Sequence, residues 1–247
     1  MMNNSVEIII LAAGKGTRMK SEKAKVLHQV SCRPMIMRVV DTAVKVSGKD
    51  IIIVIGHQAE RVKKIVSENA DVKFALQMEQ NGTGHAVQCA LSKLSVSCAD
   101  VVILSGDVPL IKASTINDLI DDHVNNDNVV TVLGVCLENP FGYGRIIESA
   151  SGCVEKIVEQ ADADDTEKII KIVNSGIYCV KRDFLEFALS QITSDNNQNE
   201  IYLTDIVLIA SKDGKKIGLK ICSDQAEVMG INSSEDLMNI ESMLMES

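Results

Sequence analysis

At 247 residues the chain has room for one large α/β domain or two small ones, and a hydrophobic fraction of 46% is ample for a core. Aromatics are only 3% and Trp is absent, so that core must come from Ile, Val, Leu, Met and Ala. A formal charge of -9 argues against nonspecific nucleic-acid binding, which wants a broad positive surface, but not against one nucleotide met by a few local cations and a metal.

The first element predicted is a buried strand over 8–11, an unbroken apolar run. Ala12, Ala13 and Gly14 then remove side-chain bulk, and Lys15, Gly16, Thr17 and Arg18 follow, with Lys25 farther along. A strand ending in a small, basic loop suits phosphate binding, since Gly14 and Gly16 let backbone N–H groups approach an anion. The loop is neither a P-loop, because Thr17 and Arg18 follow Gly16, nor a GxGxxG fingerprint, because Met19 takes the last glycine's place. Composition alone leaves phosphate binding and a plain glycine turn about equally open.

Helical spacing of Ile36, Val39, Val40, Ala43 and Val44 predicts a helix ended by Gly48. A second apolar strand over 51–55, a helix face of Val62, Ile65 and Val66, and a third strand over 72–76 follow. This alternation predicts a mostly parallel twisted sheet with helices on both faces, a Rossmann-like α/β fold. The third strand runs into QMEQNGTGH (77–85), whose carboxamides and glycines sit where open α/β sheets bind ligands. A helix packs through Ala86, Val87, Ala90, Leu91 and Leu94, and a fourth strand over 101–104 ends in SGDVPL (105–110). Asp107, one step past that strand, suits either a magnesium ligand or a turn cap.

After a helix near 115–120 and a strand over 129–135, the pattern changes to a hairpin of 145–148 and 154–158, a lip over the pocket. The polar stretch 162–168 reads as a mobile loop, and the strand within 169–180 as broken at Asn174, Ser175 and Gly176. Phe184, Phe187, Ala188 and Leu189 read as a core helix face, and Thr204 as the side-chain cap of a helix over 205–212. Lys215 and Lys216 lie in a basic loop with some access to the entrance, and a late strand covers 217–221. Ser234, ahead of Glu235 and Asp236, starts a last amphipathic helix over 237–245.

Seven cysteines, none in a CxxC pair, read as reduced and mostly buried in a cytoplasmic protein, without zinc spacing to the four histidines. No run reaches 18 apolar residues and no signal peptide is visible, so no membrane association is expected.

Residues 11–27 fit LxxGxGTRMxxxxxKxL, and the chain resembles the sugar-phosphate nucleotidyltransferase family, in particular its bacterial N-acetylglucosamine-1-phosphate uridylyltransferase branch. The likeness runs from 7 to about 232 through QxEQxGT, GDxPL, GYGRI (142–146), IVE (157–159), NSG (174–176) and ExYxTD (200–205). It implies uridylyl transfer from UTP to N-acetylglucosamine-1-phosphate with Mg2+, in service of cell-wall precursor synthesis. By that match Leu11, Ala12, Ala13, Gly14, Gly16, Thr17, Gln77, Gln80, Gly82 and Thr83 bind the nucleotide. Gly144, Glu159 and Asn174 bind the sugar, Asp107 and Asn232 hold the metal, and Arg18 and Lys25 are catalytic, with Asp205 in support. Close family members carry Tyr where this chain has Ser105, which implies a looser pocket. The resemblance divides the chain into a transferase domain over 1–232 and a C-terminal helix over 233–247. The bifunctional enzyme's hexapeptide repeats do not occur in these residues, so acetyl transfer and its trimer are not expected, and a monomer is. Two rivals stay open: the same transfer with another nucleotide and sugar, and a silent nucleotide-sugar binder.

Overall fold

The computed structural model describes residues 5–246. In chain order it consists of β1 (Ser5–Ala12), a small hairpin of β2 (Gln29–Val30) and β3 (Arg33–Pro34), α1 (Met35–Ser47), β4 (Ile51–Ile55), α2 (Ala59–Ser67) and β5 (Lys73–Leu76). There follow α3 (Thr83–Leu91), β6 (Cys98–Ser105), α4 (Ala113–Asn125), β7 (Val130–Cys136), β8 (Arg145–Glu148) and β9 (Val154–Val158). The chain closes with β10 (Ile172–Lys181), α5 (Arg182–Leu189), α6 (Asp205–Lys212), β11 (Ile217–Cys222) and α7 (Ser234–Glu246).

The apolar runs are continuous because both faces of the sheet are covered. Along β1, Ile8 and Ile10 pack toward α1, α2 and α4, whereas Ile9 packs toward α3, α5 and α6. All three isoleucines are fully buried, and each contributes roughly 1.5–3 kcal/mol relative to exposure.

The strand order is β11-β7-β10-β6-β1-β4-β5, with the β8–β9 hairpin attached through β10. β1, β4, β5 and β6 are mutually parallel, and β11 is parallel to β7. β10 runs antiparallel to both β6 and β7. From β1 the chain builds outward through β4 and β5, then returns to β6 on the other side. This switch point opens a crevice at the carboxyl ends of β1 and β6.

Several local expectations are corrected. β10 is one strand with a bulge between Asn174 and Ile177, not two pieces. Within the segment 162–168, Asp164 Oδ1 accepts from the Thr166 N–H, the Thr166 hydroxyl and the Glu167 N–H. Phe184 is buried, but Phe187 is 48% exposed, so the α5 core face carries one ring, not two. α7 begins at Ser234 as expected, and the cap lies one residue earlier: Ser233 Oγ accepts from the Asp236 N–H while Asp236 Oδ2 accepts from the Ser233 N–H. Three cysteines (32, 136 and 153) are exposed, and all seven are free thiols. No helix among the described residues is long and apolar enough to cross a membrane.

The final helix packs on the rest of the chain. Ile240 of α7, with Leu237 and Leu244, packs on Met19, Val30 and Met35 to form a small third core around Ile231. Two of its members, Met19 and Ile231, are the immediate neighbours of Arg18 and Asn232.

Candidate active site

Two adjoining clefts open along the carboxyl ends of β1, β5 and β6, and both have Ser105 and Asp107 in their walls. The first, about 460 Å³, is lined by Leu11, Ala13, Gly14, Gly16, Thr17, Lys25, Gln77, Gln80, Gly82 and Thr83. The second, about 640 Å³, is lined by Arg18, Gly144, Glu159, Asn174 and Asn232. A larger cavity of about 770 Å³ lies at the opposite sheet edge, beside Val96 and Phe187 and away from every candidate residue. Lys215 lines that distant cavity and Lys216 Nζ donates to Asn126 O (2.6 Å), so neither lysine faces the entrance. Of the residues expected in the first cleft, Ala12 alone is not in its wall; it is buried in the core beneath.

The glycine loop works through backbone shape. Gly16 has φ +64°, and a Cβ there would collide with Lys25 Cβ. A short 3-10 turn, Thr17–Met19, then carries Arg18 outward, and a second, Lys25–Leu27, turns Lys25 back toward β6. On the facing loop, Gly82 has φ +105°, and a Cβ there would stand 2.5 Å from Ile201 O. That closeness reflects stitching between 81–84 and 201–203. Gly84 N donates to Ile201 O (2.7 Å), Ile201 N to Asn81 O (2.8 Å) and Leu203 N to Thr83 Oγ1 (3.0 Å). Gln77 is buried, and its Nε2 pairs with Gly82 O (3.1 Å) and His85 Nδ1 (3.2 Å). What Gln77 can offer a ligand is therefore its carbonyl oxygen.

Lys25 stands at the joint of the clefts. Its Nζ ion-pairs with the Asp107 carboxylate and donates to Asn232 Oδ1 at 3.1 Å, and Arg18 donates to the same Asn232 oxygen at 2.9 Å. Residues far apart in sequence meet here because Ile231 N donates to Asp107 O (2.9 Å) and Gly106 N to Leu11 O (2.9 Å). The Asp107 and Asn232 oxygens converge on one ammonium group. One charged and one neutral hard oxygen suit magnesium, which takes few protein ligands and completes its shell with water and phosphate. No cluster of three or more His, Cys, Asp or Glu with metal-holding geometry occurs among the described residues.

Asn232 owes its place to α7: Asp236 Oδ2 accepts from the Asn232 N–H at 2.9 Å as well as from Ser233. Asp236→Ala should cost about 1 kcal/mol through the lost cap, a melting shift of a few degrees. It should also lower kcat several-fold, because Asn232 loses its anchor, and Asp236→Asn should recover much of both. A melting shift with unchanged kcat would show that Asn232 holds its position without the cap.

In the second cleft, Gly144 and Glu159 lie side by side: a Cβ at Gly144 would stand 3.3 Å from Glu159 Oε2. Asn174 Nδ2 donates to Tyr178 Oη (2.6 Å), and its Oδ1 accepts from Gly176 N (3.0 Å). The expected Thr204 side-chain cap is absent: its hydroxyl donates to Glu159 Oε1 at 3.3 Å instead. The demand of the half-buried carboxylate outcompetes the helix end.

Burial pushes the Glu159 carboxyl above the usual range, Asp162, Asp205 and Glu200 push the same way, and the Thr204 hydroxyl opposes them. The folded protein thus holds this proton more tightly than the unfolded chain. The sign follows: this residue's contribution to stability falls as pH rises through the raised pKa and stays lower above it. Glu159→Gln should therefore melt above the wild type at about pH 8, with the difference vanishing below the ordinary carboxylate range. Thermal melts across that span check it, and a mutant no more stable at pH 8 would contradict it.

Sequence reasoning did not single out Glu200 in the first cleft or Tyr143 and Asp236 in the second. Tyr143 and Glu200 lie inside motifs already recognised, but nothing local in the sequence shows which way they face.

A switch-point crevice, a glycine loop, and a lysine and arginine gathered on an aspartate and an asparagine together make a site suited to phosphate groups. A model of the nucleotidyl transferase family matches residues 7–224, and the chain belongs to that family. Among relatives, it is 44% identical over 241 residues to the bifunctional protein GlmU of Geotalea uraniireducens, covering 98% of this chain and 53% of that protein. It is 45% identical over 234 residues to GlmU of Desulfotalea psychrophila, covering 95% and 69% respectively. With GlmU of Clostridium perfringens the figures are 44% over 236 residues, 96% and 51%. The chain spans about half the length of most of these curated relatives. A Bacillus anthracis crystal structure assigned as a glucose-1-phosphate thymidylyltransferase, with sucrose, superposes with a TM-score of 0.74 at 19% identity. It covers 96% of this chain and 94% of its own, and supports the fold.

Proposed function

We propose that this chain transfers a uridylyl group from UTP to N-acetylglucosamine-1-phosphate, giving UDP-N-acetylglucosamine and pyrophosphate. The observation that carries the reading is the pair of clefts meeting at Asp107, with Lys25 at the joint: one chamber for a nucleotide, one for a sugar, and cationic groups between them.

The sugar phosphate is largely ionised near neutral pH, so its oxygen needs no general base. It attacks the α-phosphorus in line; the new P–O bond forms as the bond to the β-phosphate oxygen breaks, and pyrophosphate leaves. Catalysis is then positioning and charge neutralisation. Lys25 steadies charge on the transferred phosphoryl group, and Arg18, nearby and exposed, meets the leaving pyrophosphate. A magnesium ion held by Asp107 and Asn232 would neutralise phosphate oxygens. The Gln77 carbonyl oxygen can accept from the N3–H of uracil, with Gln80 and the Gly82 backbone beside it. Glu159 and Asn174 are placed to read sugar hydroxyls and the N-acetyl group.

Magnesium-dependent pyrophosphate release tests this, with UTP and N-acetylglucosamine-1-phosphate against CTP, dTTP, GTP and glucose-1-phosphate. Selective release with the first pair is expected. Selective release with another pair would overturn the substrate choice, and none from folded protein would overturn the transfer.

A further inference from the structure

Arg145 is 1% exposed, and no carboxylate lies within ion-pair distance of it among the described residues. A buried guanidinium without a direct counter-ion calls for a reason. Burial works to lower its pKa and the charge of nearby Glu159 works to raise it. Its hydrogen bonds run to three separate pieces of chain. It donates to Tyr143 O in the turn before β8, to Gln160 Oε1 (2.9 Å) just after β9, and to Lys168 O (3.3 Å) in the loop before β10. Gln160 Oε1 also accepts from the Gly142 N–H at 2.9 Å, so one amide oxygen ties the guanidinium to the turn.

Neither Arg145 nor Gln160 lines the second cleft, yet each is the immediate neighbour of a residue that does: Gly144 and Glu159. Those two lie side by side where the β8–β9 pairing ends, a Cβ at Gly144 standing 3.3 Å from Glu159 Oε2, and Asn174 N is bound to Gly144 O (2.9 Å). Moving the turn relative to the β9 exit would therefore change how Gly144, Glu159 and Asn174 sit against one another. We propose that Arg145, working through Gln160, is a positioning residue that sets the spacing of Gly144 and Glu159 and so the affinity for the sugar 1-phosphate. This rests on the second cleft being the sugar side of the transfer proposed above.

The test is the split between Michaelis constants in Gln160→Leu, which removes the shared acceptor, and Gln160→Glu, which keeps an acceptor oxygen. Gln160→Leu should raise KM for the sugar 1-phosphate about tenfold and leave KM for the nucleotide within about twofold. Gln160→Glu should return the sugar KM to within about threefold of wild type. If Gln160→Leu does not fold, Arg145→Lys serves, since an ammonium keeps the charge but not the fork that reaches three acceptors; the same split is expected. An unchanged sugar KM, equal rises in both constants, or no recovery in Gln160→Glu overturns the proposal. The wild-type control separates the two ideas. Wild type active with any sugar 1-phosphate but unsplit constants in the variant defeats the clamp alone, whereas wild type inactive with all of them defeats the transferase reading.

Discussion

Asp107→Ala should lower kcat by about 10²–10³-fold and leave the protein folded. The Asp107 side chain is 18% exposed and at the rim of the core, so its removal opens no apolar cavity. Its backbone carbonyl keeps the bond from Ile231 N, so the 229–232 segment stays docked. Lys25 loses its carboxylate partner but retains Asn232 Oδ1 at 3.1 Å. The magnesium concentration for half-maximal turnover should rise with the loss. Near wild-type turnover from purified, folded Asp107→Ala would remove this residue from the metal site.

Lys25→Ala should cost a comparable factor in kcat with the opposite signature toward the metal. The lysine ammonium is itself the cation on which Asp107 and Asn232 converge. Removing it takes a positive charge from two oxygens placed to receive a divalent ion. Divalent-cation affinity, read by calorimetry with the nucleotide present, should hold or tighten while turnover collapses. Collapse of both would make Lys25 a structural prop for the two oxygens rather than a group acting on phosphate.

The two variants together separate roles that one contact leaves merged. The Lys25–Asp107 ion pair fits both a lysine that only anchors Asp107 and one that exchanges the carboxylate for substrate phosphate. The direction of the metal response decides between them.

Much of the scaffold was legible in the sequence. The unbroken run of β4 matches its predicted bounds, 51–55, and the β8–β9 hairpin matches 145–148 and 154–158. These are local signals: apolar period and turn chemistry are set by residues within a few positions of each other. The Gly14, Gly16 and Lys25 cluster and Asp107 past β6 were legible too, because strand ends mark the ligand edge of such a sheet.

The rest depended on partners far along the chain. That β10 inserts between β6 and β7 and runs against both is a choice among pairings distant in sequence, and no local pattern ranks them. Phe187 looked like core because its spacing matched Phe184, but the face it presents is uncovered. Thr204 had the residue type of a cap, yet its hydroxyl serves Glu159, 45 positions away. Arg145 lies inside GYGRI with no role of its own legible there, and Gln160 carried no local signal, since their meaning lies in which three pieces of chain they join. The sequence by itself determined the alternating α/β plan, the glycine loop and the residue types gathered for phosphate. Only the tertiary structure decided that Lys25, Asp107 and Asn232 share one point and that Ser105 and Asp107 divide the cleft. Residue chemistry is written locally, whereas convergence follows from long-range packing and backbone hydrogen bonds such as that from Ile231 N to Asp107 O.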